Sequence, residues 1–440
     1  MLWANFLTFF NISMMVYFWK KDLRKNTYIF SPIKLFIFVT SVYLVLPSLI
    51  LPNFYIESLF WNLQKELIFK TNLMILIFNL TFLVAFNFLQ KIEKSKFGFS
   101  ISKRAVILSL VFLIIAMFSK YYMYQKGLFF LEDDSNIDAE IPRVIRLFNN
   151  LHLWGYMIIT IYFFKDKRNS TPKKEVLIKI FFLFYFLFSV GIPLLQGRRF
   201  GVIFPVIIFI SMYLFHNRIK FLKLVKYFLF ILILFTIMTV FRQAQVLAIG
   251  YNLEIDLENI IGAVGFIEAN YLVESALSRI FNVYINLNRV IEFKDSIDYT
   301  SFYNPFFLAF AGLVPSFIWG SKPSLSIGNQ LGKELGLIHE SNDIIGINIG
   351  WIGEGYFYSS ELGVFLASLF FCITIVIMTK LFSKFSDAGK IVILMYVVFM
   401  VSGFQMELAF SFNSFFKGTF MLLLLLGILS NKIYRIKKYR

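Results

Sequence analysis

Cysteine is almost absent from this chain, with Cys372 the single one among 440 residues. That excludes an intrachain disulfide framework and any cysteine-cluster metal site. Inside its apolar run the thiol reads as a small core or lipid-facing residue. Histidine is nearly as scarce, and His152, His216 and His339 lie far apart, so neither a metal centre nor a cofactor is expected. Charged residues make up only 16% of the chain, against about a quarter in an ordinary soluble domain. The sequence has no glycine-rich nucleotide loop, no Ser-His-Asp grouping and no HExxH, which argues against a nucleotide-driven pump. It also lacks an internal repeat, a glycine-rich linker and a separable soluble domain, and nothing in it calls for a nucleic-acid partner.

What is present in excess is apolar surface: 58% hydrophobic residues, including 58 Phe. A soluble chain of this length cannot hide that much. The apolar residues fall into runs of about 15 to 20, the length at which a helix rising 1.5 Å per residue crosses roughly 30 Å of hydrocarbon. The spacing predicts an all-α polytopic membrane protein with about 11 transmembrane helices, 10 to 12 allowing for the boundaries. The spans are expected at 2–19, 35–51, 73–89, 105–124, 147–164, 176–195, 200–215, 227–241, 362–378, 391–406 and 412–429. The first run has neither a basic leader nor a small-residue cleavage site, and reads as a retained span rather than a signal peptide.

Orientation follows from Lys and Arg, which collect in short cytoplasmic loops. Every second loop is basic: Lys20 to Lys25, Lys91 to Arg104, Lys165 to Lys174, Arg218 to Lys226, Lys380 to Lys390, and the tail Lys432 to Arg440. The C-terminus is therefore expected in the cytoplasm. The remaining loops, 57–70, 132–146 and the long stretch 243–360, fall outside. That stretch holds 5 Lys or Arg against 12 Asp or Glu, a net −7 in a chain of +17, which leaves +24 for the rest. Three regions follow: 1–242, an N-terminal bundle of about eight helices; 243–360, an extracytoplasmic region; and 361–440, about three helices and a basic tail. Within the middle region, 260–290 has the apolar spacing of helices on or against the membrane face. The run 302–319, interrupted by Pro305, Gly312 and Pro315, reads as a re-entrant or bundle-packed segment.

Residues that break the membrane rules are the candidates for function. Arg198 and Arg199 follow Gln196 and Gly197 in a tight outward turn, where short loops normally avoid Arg. They either snorkel to headgroups or bind an anion, since guanidinium groups pair with phosphate and stay charged. Arg242 ends the next outward span at a similar depth. Arg279, in the outer segment, is a fourth cation, alternatively a solvated partner of Glu274 or Glu268. In VPSFIWGSKPS, Pro315 and Pro323 bracket Trp319 and Lys322, which serve either as an interfacial anchor or as a rigid recognition turn. In GWIGEGYFYSSELG, Glu354 stands between two glycines at the outer entry of a span. A carboxylate there caps a helix, holds the arginines, or accepts a proton.

Four features in order, the Gly197 to Arg199 turn, Arg242, a W-x-x-KP pattern within Phe317 to Pro323, and GEGY-x-Y-x-x-x-LG at Gly353 to Gly363, resemble the Wzy-type oligosaccharide repeat-unit polymerases. The resemblance implies a C-type glycosyltransferase-like fold in the bacterial cytoplasmic (inner) membrane. It implies inverting, metal-independent transfer of a growing glycan from undecaprenyl diphosphate to the next lipid-linked repeat, for O-antigen, capsule or exopolysaccharide. Arg198, Arg199, Arg242 and Glu354 are then the expected catalytic group. Arg279, Lys322, Trp319, His339 and Tyr356 are the expected substrate contacts, with Trp351 and Tyr358 as further stacking faces and His339 or Asp343 as other candidates for the base. The expected partners are the undecaprenyl-diphosphate-linked oligosaccharide and membrane lipid, together with a flippase and a chain-length regulator. An O-antigen ligase and a lipid-linked oligosaccharide flippase share parts of this pattern. The GRR and KP patterns favour a polymerase, and the absence of two similar halves speaks against a transporter.

Overall fold

A computed structural model describes residues 2–25, 31–53, 64–89, 97–101, 104–126, 151–165, 172–196, 199–216, 269–297, 304–314, 327–336, 338–340, 347–383, 406–409, 411–413 and 430–435, with isolated positions between them. The helices are α1 (Leu2–Lys25), α2 (Pro32–Thr40), α3 (Leu46–Asn53), α4 (Ile68–Leu89), α5 (Arg104–Gln125), α6 (Leu151–Lys165), α7 (Pro172–Leu195), α8 (Arg199–His216), α9 (Ala269–Phe293), α10 (Pro305–Ala311), α11 (Gly328–Glu334) and α12 (Gly350–Ser383). Two short strands, Phe97–Ile101 and Ser430–Arg435, pair with each other. Among the described residues five helical stretches are long and apolar enough to cross a membrane: Pro32–Leu51, Ile68–Leu89, Val106–Gln125, Val176–Leu195 and Gly350–Ile377. This is a helical membrane protein. The expected spans at 35–51, 73–89, 105–124 and 176–195 coincide with the first four to within a few residues. Those at 147–164 and 200–215 fall on the shorter helices α6 and α8, and 2–19 lies within α1. The spans expected at 227–241, 391–406 and 412–429 lie outside the described residues, apart from isolated positions.

The chain forms two compact units. One contains residues 1–98, 277–428 and 434–440, the other 99–276 and 429–433. In the first, Ser31 caps α2 by accepting the Lys34 amide at 3.2 Å, and Pro32 begins the helix where no amide partner is needed. Lys34 and Asp22 form a buried ion pair at 3.4 Å that ties α1 to α2, with Ser31 donating to the same carboxylate. Past α2 the chain widens into a π turn at Ser41–Val45, because Pro47 has no amide to give and its ring crowds the preceding turn. The core is aromatic. Phe36 of α2 stacks on Phe82 of α4 with ring centroids 3.6 Å apart, and Phe371 of α12 lies 5.7 Å from Phe82. α12 is pinned to α4 by Ser368 Oγ, which donates to the Phe78 carbonyl at 2.6 Å.

A polar layer joins α9 to this core. Asn72 donates to Thr8 Oγ1 at 3.1 Å and accepts from the Tyr284 hydroxyl at 2.8 Å, while Asn288 exchanges hydrogen bonds with the Gln64 backbone. Burial pushes the Tyr284 hydroxyl well above the ordinary tyrosine range, so it remains a donor. Of the helical spacing expected over 260–290, 260–268 lies outside the described residues apart from one position, and the part from Ala269 onward is seen in α9. Its second half is sunk into the unit rather than laid on a surface, because Phe281, Tyr284, Leu287, Asn288 and Val290 are all fully buried. The run expected to be re-entrant, 302–319, contains only the seven-residue α10 and a following turn within its described part.

The second unit is built on α5, α6, α7 and α8. Its centre is a run of rings: Phe163 stacks on Phe182 at 4.6 Å, and Tyr156 and Phe209 flank Phe182 at 5.9 and 5.8 Å. Gly155 is what lets Tyr185 cross α6. A β-carbon there would stand 1.9 Å from the hydroxyl that Tyr185 donates to the Ser109 carbonyl.

Candidate functional site

α12 is not a straight rod. Its backbone leaves helical geometry at Ser359 (φ −147°, ψ 27°) and Ser360 (φ 52°, ψ −135°), and Ser360 is the one non-glycine residue with positive φ among the described residues. Trp351 lies against Phe370 and Phe371, with centroids 6.0 and 4.7 Å away. Twenty residues of continuous helix would separate Trp351 from Phe371 by about 30 Å. The half-helix before Ser359 therefore doubles back along the half after Ser360.

Two glycines make the crossing possible. A β-carbon on Gly363 would lie 1.8 Å from the Gly355 carbonyl oxygen, and one on Gly355 would lie 2.5 Å from the Gly363 carbonyl oxygen. Any side chain at either position forces the halves apart. The GEGY-x-Y-x-x-x-LG pattern is thus the sequence of a helical hairpin: glycines at the crossing, two serines at the bend, and the Glu and Tyr on the returning half.

Glu354 is 1% exposed on that returning half rather than at the entry of a span. Its Oε2 accepts the Leu408 amide, and Oε1 has no hydrogen-bond partner among the described residues. Trp351 Nε1, one turn earlier on the same half-helix, is likewise buried and unpartnered among them. Buried polar atoms without partners cost one to several kcal/mol each and mark a place where stability gives way to another demand. Glu407, next to Leu408, is also buried, and its Oε1 is 2.7 Å from where a β-carbon on Gly328 would sit.

Tyr356 is 2% exposed, and Lys70 Nζ and Lys294 Nζ each stand 5.3 Å from its ring centroid. Lys294 also donates to Ser360 Oγ at the bend. Lys70 faces Glu361 at 4.0 Å, both side chains exposed. Trp351 is fully buried, Tyr358 is half-buried, and Trp319 meets Phe307 of α10 edge-on at 6.1 Å. His339 is exposed.

Arg198, Arg242, Lys322 and Asp343 lie outside the described residues, as do the side chains of Arg199, which begins α8, and Arg279, which lies within α9. Immediately before the Gly197 to Arg199 turn, Gln196 accepts from the buried Lys120 Nζ at 2.6 Å and donates to the Phe129 carbonyl at 3.0 Å. The sequence reading passed over Lys120, Lys70, Lys294 and Glu407. For Lys70 and Lys294 a signal existed: both are basic residues in segments assigned to the outer side, the same anomaly that singled out the arginines. Among the described residues no three His, Cys, Asp or Glu side chains come together as metal ligands. Comparison with protein-family models, with curated proteins and with solved structures finds no match.

Proposed function

We propose that this chain is a multi-pass membrane glycosyltransferase that polymerises lipid-linked oligosaccharide repeat units at the outer face of a bacterial cytoplasmic membrane, in O-antigen, capsule or exopolysaccharide synthesis. The observation that carries the reading is the α12 hairpin. Apolar helical backbone that turns back instead of crossing is tolerated where it is buried in protein or lines a water-filled cavity, the setting a polar substrate needs. Here the returning half bears a buried carboxylate, and the bend carries cations. On this reading the sugar leaves a lipid diphosphate, and cations fixed at the outer interface bind that leaving group and stabilise the charge developing on it. Arg198, Arg199 and Arg242 are assigned that task, and Glu354 the acceptance of a proton from the attacking hydroxyl. Arg279, Lys322, Trp319 and His339 are assigned contacts with the glycan, and Tyr356, being buried, supports them from beneath. The loop after α4 and the basic tail are assigned to the cytoplasm on their Lys and Arg content, and the pairing of Phe97–Ile101 with Ser430–Arg435 is in keeping with that.

A second reading is favoured by the same hairpin. Discontinuous helices are also how secondary transporters build substrate sites, which keeps a lipid-linked oligosaccharide flippase in view. The two separate in a host lacking its own polymerase, where surface glycan is scored as a ladder on a gel. R198A and R199A are expected to lose the ladder while single lipid-linked repeats still reach the surface, with expression and membrane insertion intact. Loss of surface repeats altogether would favour the flippase. A wild-type ladder from both variants would reduce these arginines to lipid anchors.

A further inference from the structure

Two ammonium groups converge on the bend of the α12 hairpin. Lys70 comes from the first turn of α4 and Lys294 from the 3-10 turn after α9, and both face the ring of Tyr356 at 5.3 Å. Their nitrogens are therefore no further apart than twice that distance. The platform beneath them is rigid, since Tyr356 is buried and the Gly355–Gly363 crossing leaves its half-helix no room to slide.

The charges at this point are weakly committed. Lys294 donates to a neutral hydroxyl, Ser360 Oγ, and forms no ion pair among the described residues. Lys70 meets Glu361 only at 4.0 Å, with side chains 44% and 53% exposed. An exposed pair at that distance adds at most about 1 kcal/mol. Arg289, on the preceding turn of α9, is bound to Glu292 at 2.7 Å. Lys70 leans first on the Tyr356 side chain beneath it, and the carboxylates that bear on Lys70 are Glu361 and Asp295, both exposed. Two cations held on a rigid ring, with loose counter-ions, suit a ligand better than a clasp.

We propose that Lys70 and Lys294 form a binding site for a phosphoryl group at the membrane surface, with Ser360 as a third donor. Each ammonium presents a compact point charge to a phosphoryl oxygen. The Ser360 hydroxyl accepts from Lys294 and keeps its own proton to donate. Glu361 is the carboxylate the ligand displaces. Phospholipid headgroups and isoprenoid diphosphates share this chemistry. If the ligand is a diphosphate, the site holds the carrier end of the substrate, and that identification rests on the polymerase reading above.

The test uses the full chain in phosphatidylcholine nanodiscs, titrated with farnesyl diphosphate by calorimetry. In parallel, the chain in nanodiscs containing phosphatidylglycerol is released for native mass spectrometry to count retained anionic lipid. The K70Q/K294Q double variant is expected to bind one of these probes about tenfold or more weakly, the loss expected for a charge-assisted contact. E361Q is expected to bind that probe more tightly, because it removes the competing anion. A clasp predicts the opposite sign for E361Q, and that single variant, which keeps both lysines, tests the site even where the double variant folds poorly. Loss in the diphosphate arm supports the site as part of the substrate path. Loss in the phosphatidylglycerol arm alone supports it as a headgroup site. The proposal is overturned if a folded double variant binds both probes like wild type, or if E361Q weakens binding. Neither arm depends on polymer being made, so a failed ladder assay leaves this result standing.

Discussion

α4 and α12 belong to one unit, pack on each other, and are both apolar enough to span a bilayer, yet one is a rod and the other a hairpin. The 22 residues of α4 contain no glycine, proline or serine. α12 places Gly350, Gly353, Gly355 and Gly363 around a Ser359–Ser360 bend. The comparison separates two jobs that hydropathy merges: apolarity decides that a segment leaves water, and small residues decide whether it crosses or returns. The polar groups do not follow the same division. In α4 Asn72 is satisfied by Thr8 and Tyr284 and Thr71 by the Leu67 carbonyl and Asn288, but Asn79 Oδ1 is buried without a partner among the described residues. On the returning half of α12, Glu354 and Trp351 each keep a buried atom without a partner among the described residues.

The sharpest way to break the comparison is G363V. With the Gly355 carbonyl 1.8 Å from a β-carbon at 363, the hairpin cannot close, and stability is expected to fall by about 3 kcal/mol or more. A85V, a similar enlargement at a half-buried position of α4, is expected to stay within about 0.5 kcal/mol. Thermal unfolding of the purified proteins in one detergent measures both, and equal losses would remove the distinction between rod and hairpin.

A smaller effect is expected at the buried carboxylate. E354A strips the Leu408 amide of its acceptor and leaves a cavity, costing about 1 to 3 kcal/mol. E354Q keeps an acceptor in the same place and is expected to unfold near wild type, yet to lose activity if Glu354 takes the proton. An active E354Q would return this residue to a structural role.

The smallest effect is at the bend. S360G relieves a positive φ that costs a non-glycine residue about 1 kcal/mol, and it also removes the acceptor of Lys294. In the K294Q background only the relief remains. S360G is therefore expected to stabilise more there than in wild type. Identical effects in both backgrounds would mean that the Lys294–Ser360 contact carries no energy.

Four of the predicted spans could be read to within about five residues at their ends, because each is a predominantly apolar run and lipid imposes helical hydrogen bonding on such a run. The span expected from 362 begins where the half after the Ser360 bend begins; what hydropathy did not show is that GWIGEGYFYSS before it is itself helical and doubles back along it. The site was legible in part. Glu354 and Tyr356 stood out for their glycine-rich setting and share one half-helix. Lys70 and Lys294 did not, since 224 residues separate them and only the packing of α9 and α12 beside α4 brings both to Tyr356.

From residue order alone come the membrane as solvent, the lengths of the helices and the alternation of positive charge, because each depends on how one segment partitions between water and lipid. Tertiary structure alone decided that α12 folds back, that α9 sinks its second half into the core, and that two distant lysines share a ring. Those outcomes depend on which surfaces find each other, and a crossing such as Gly355 on Gly363 has an energy only once both backbones are in place.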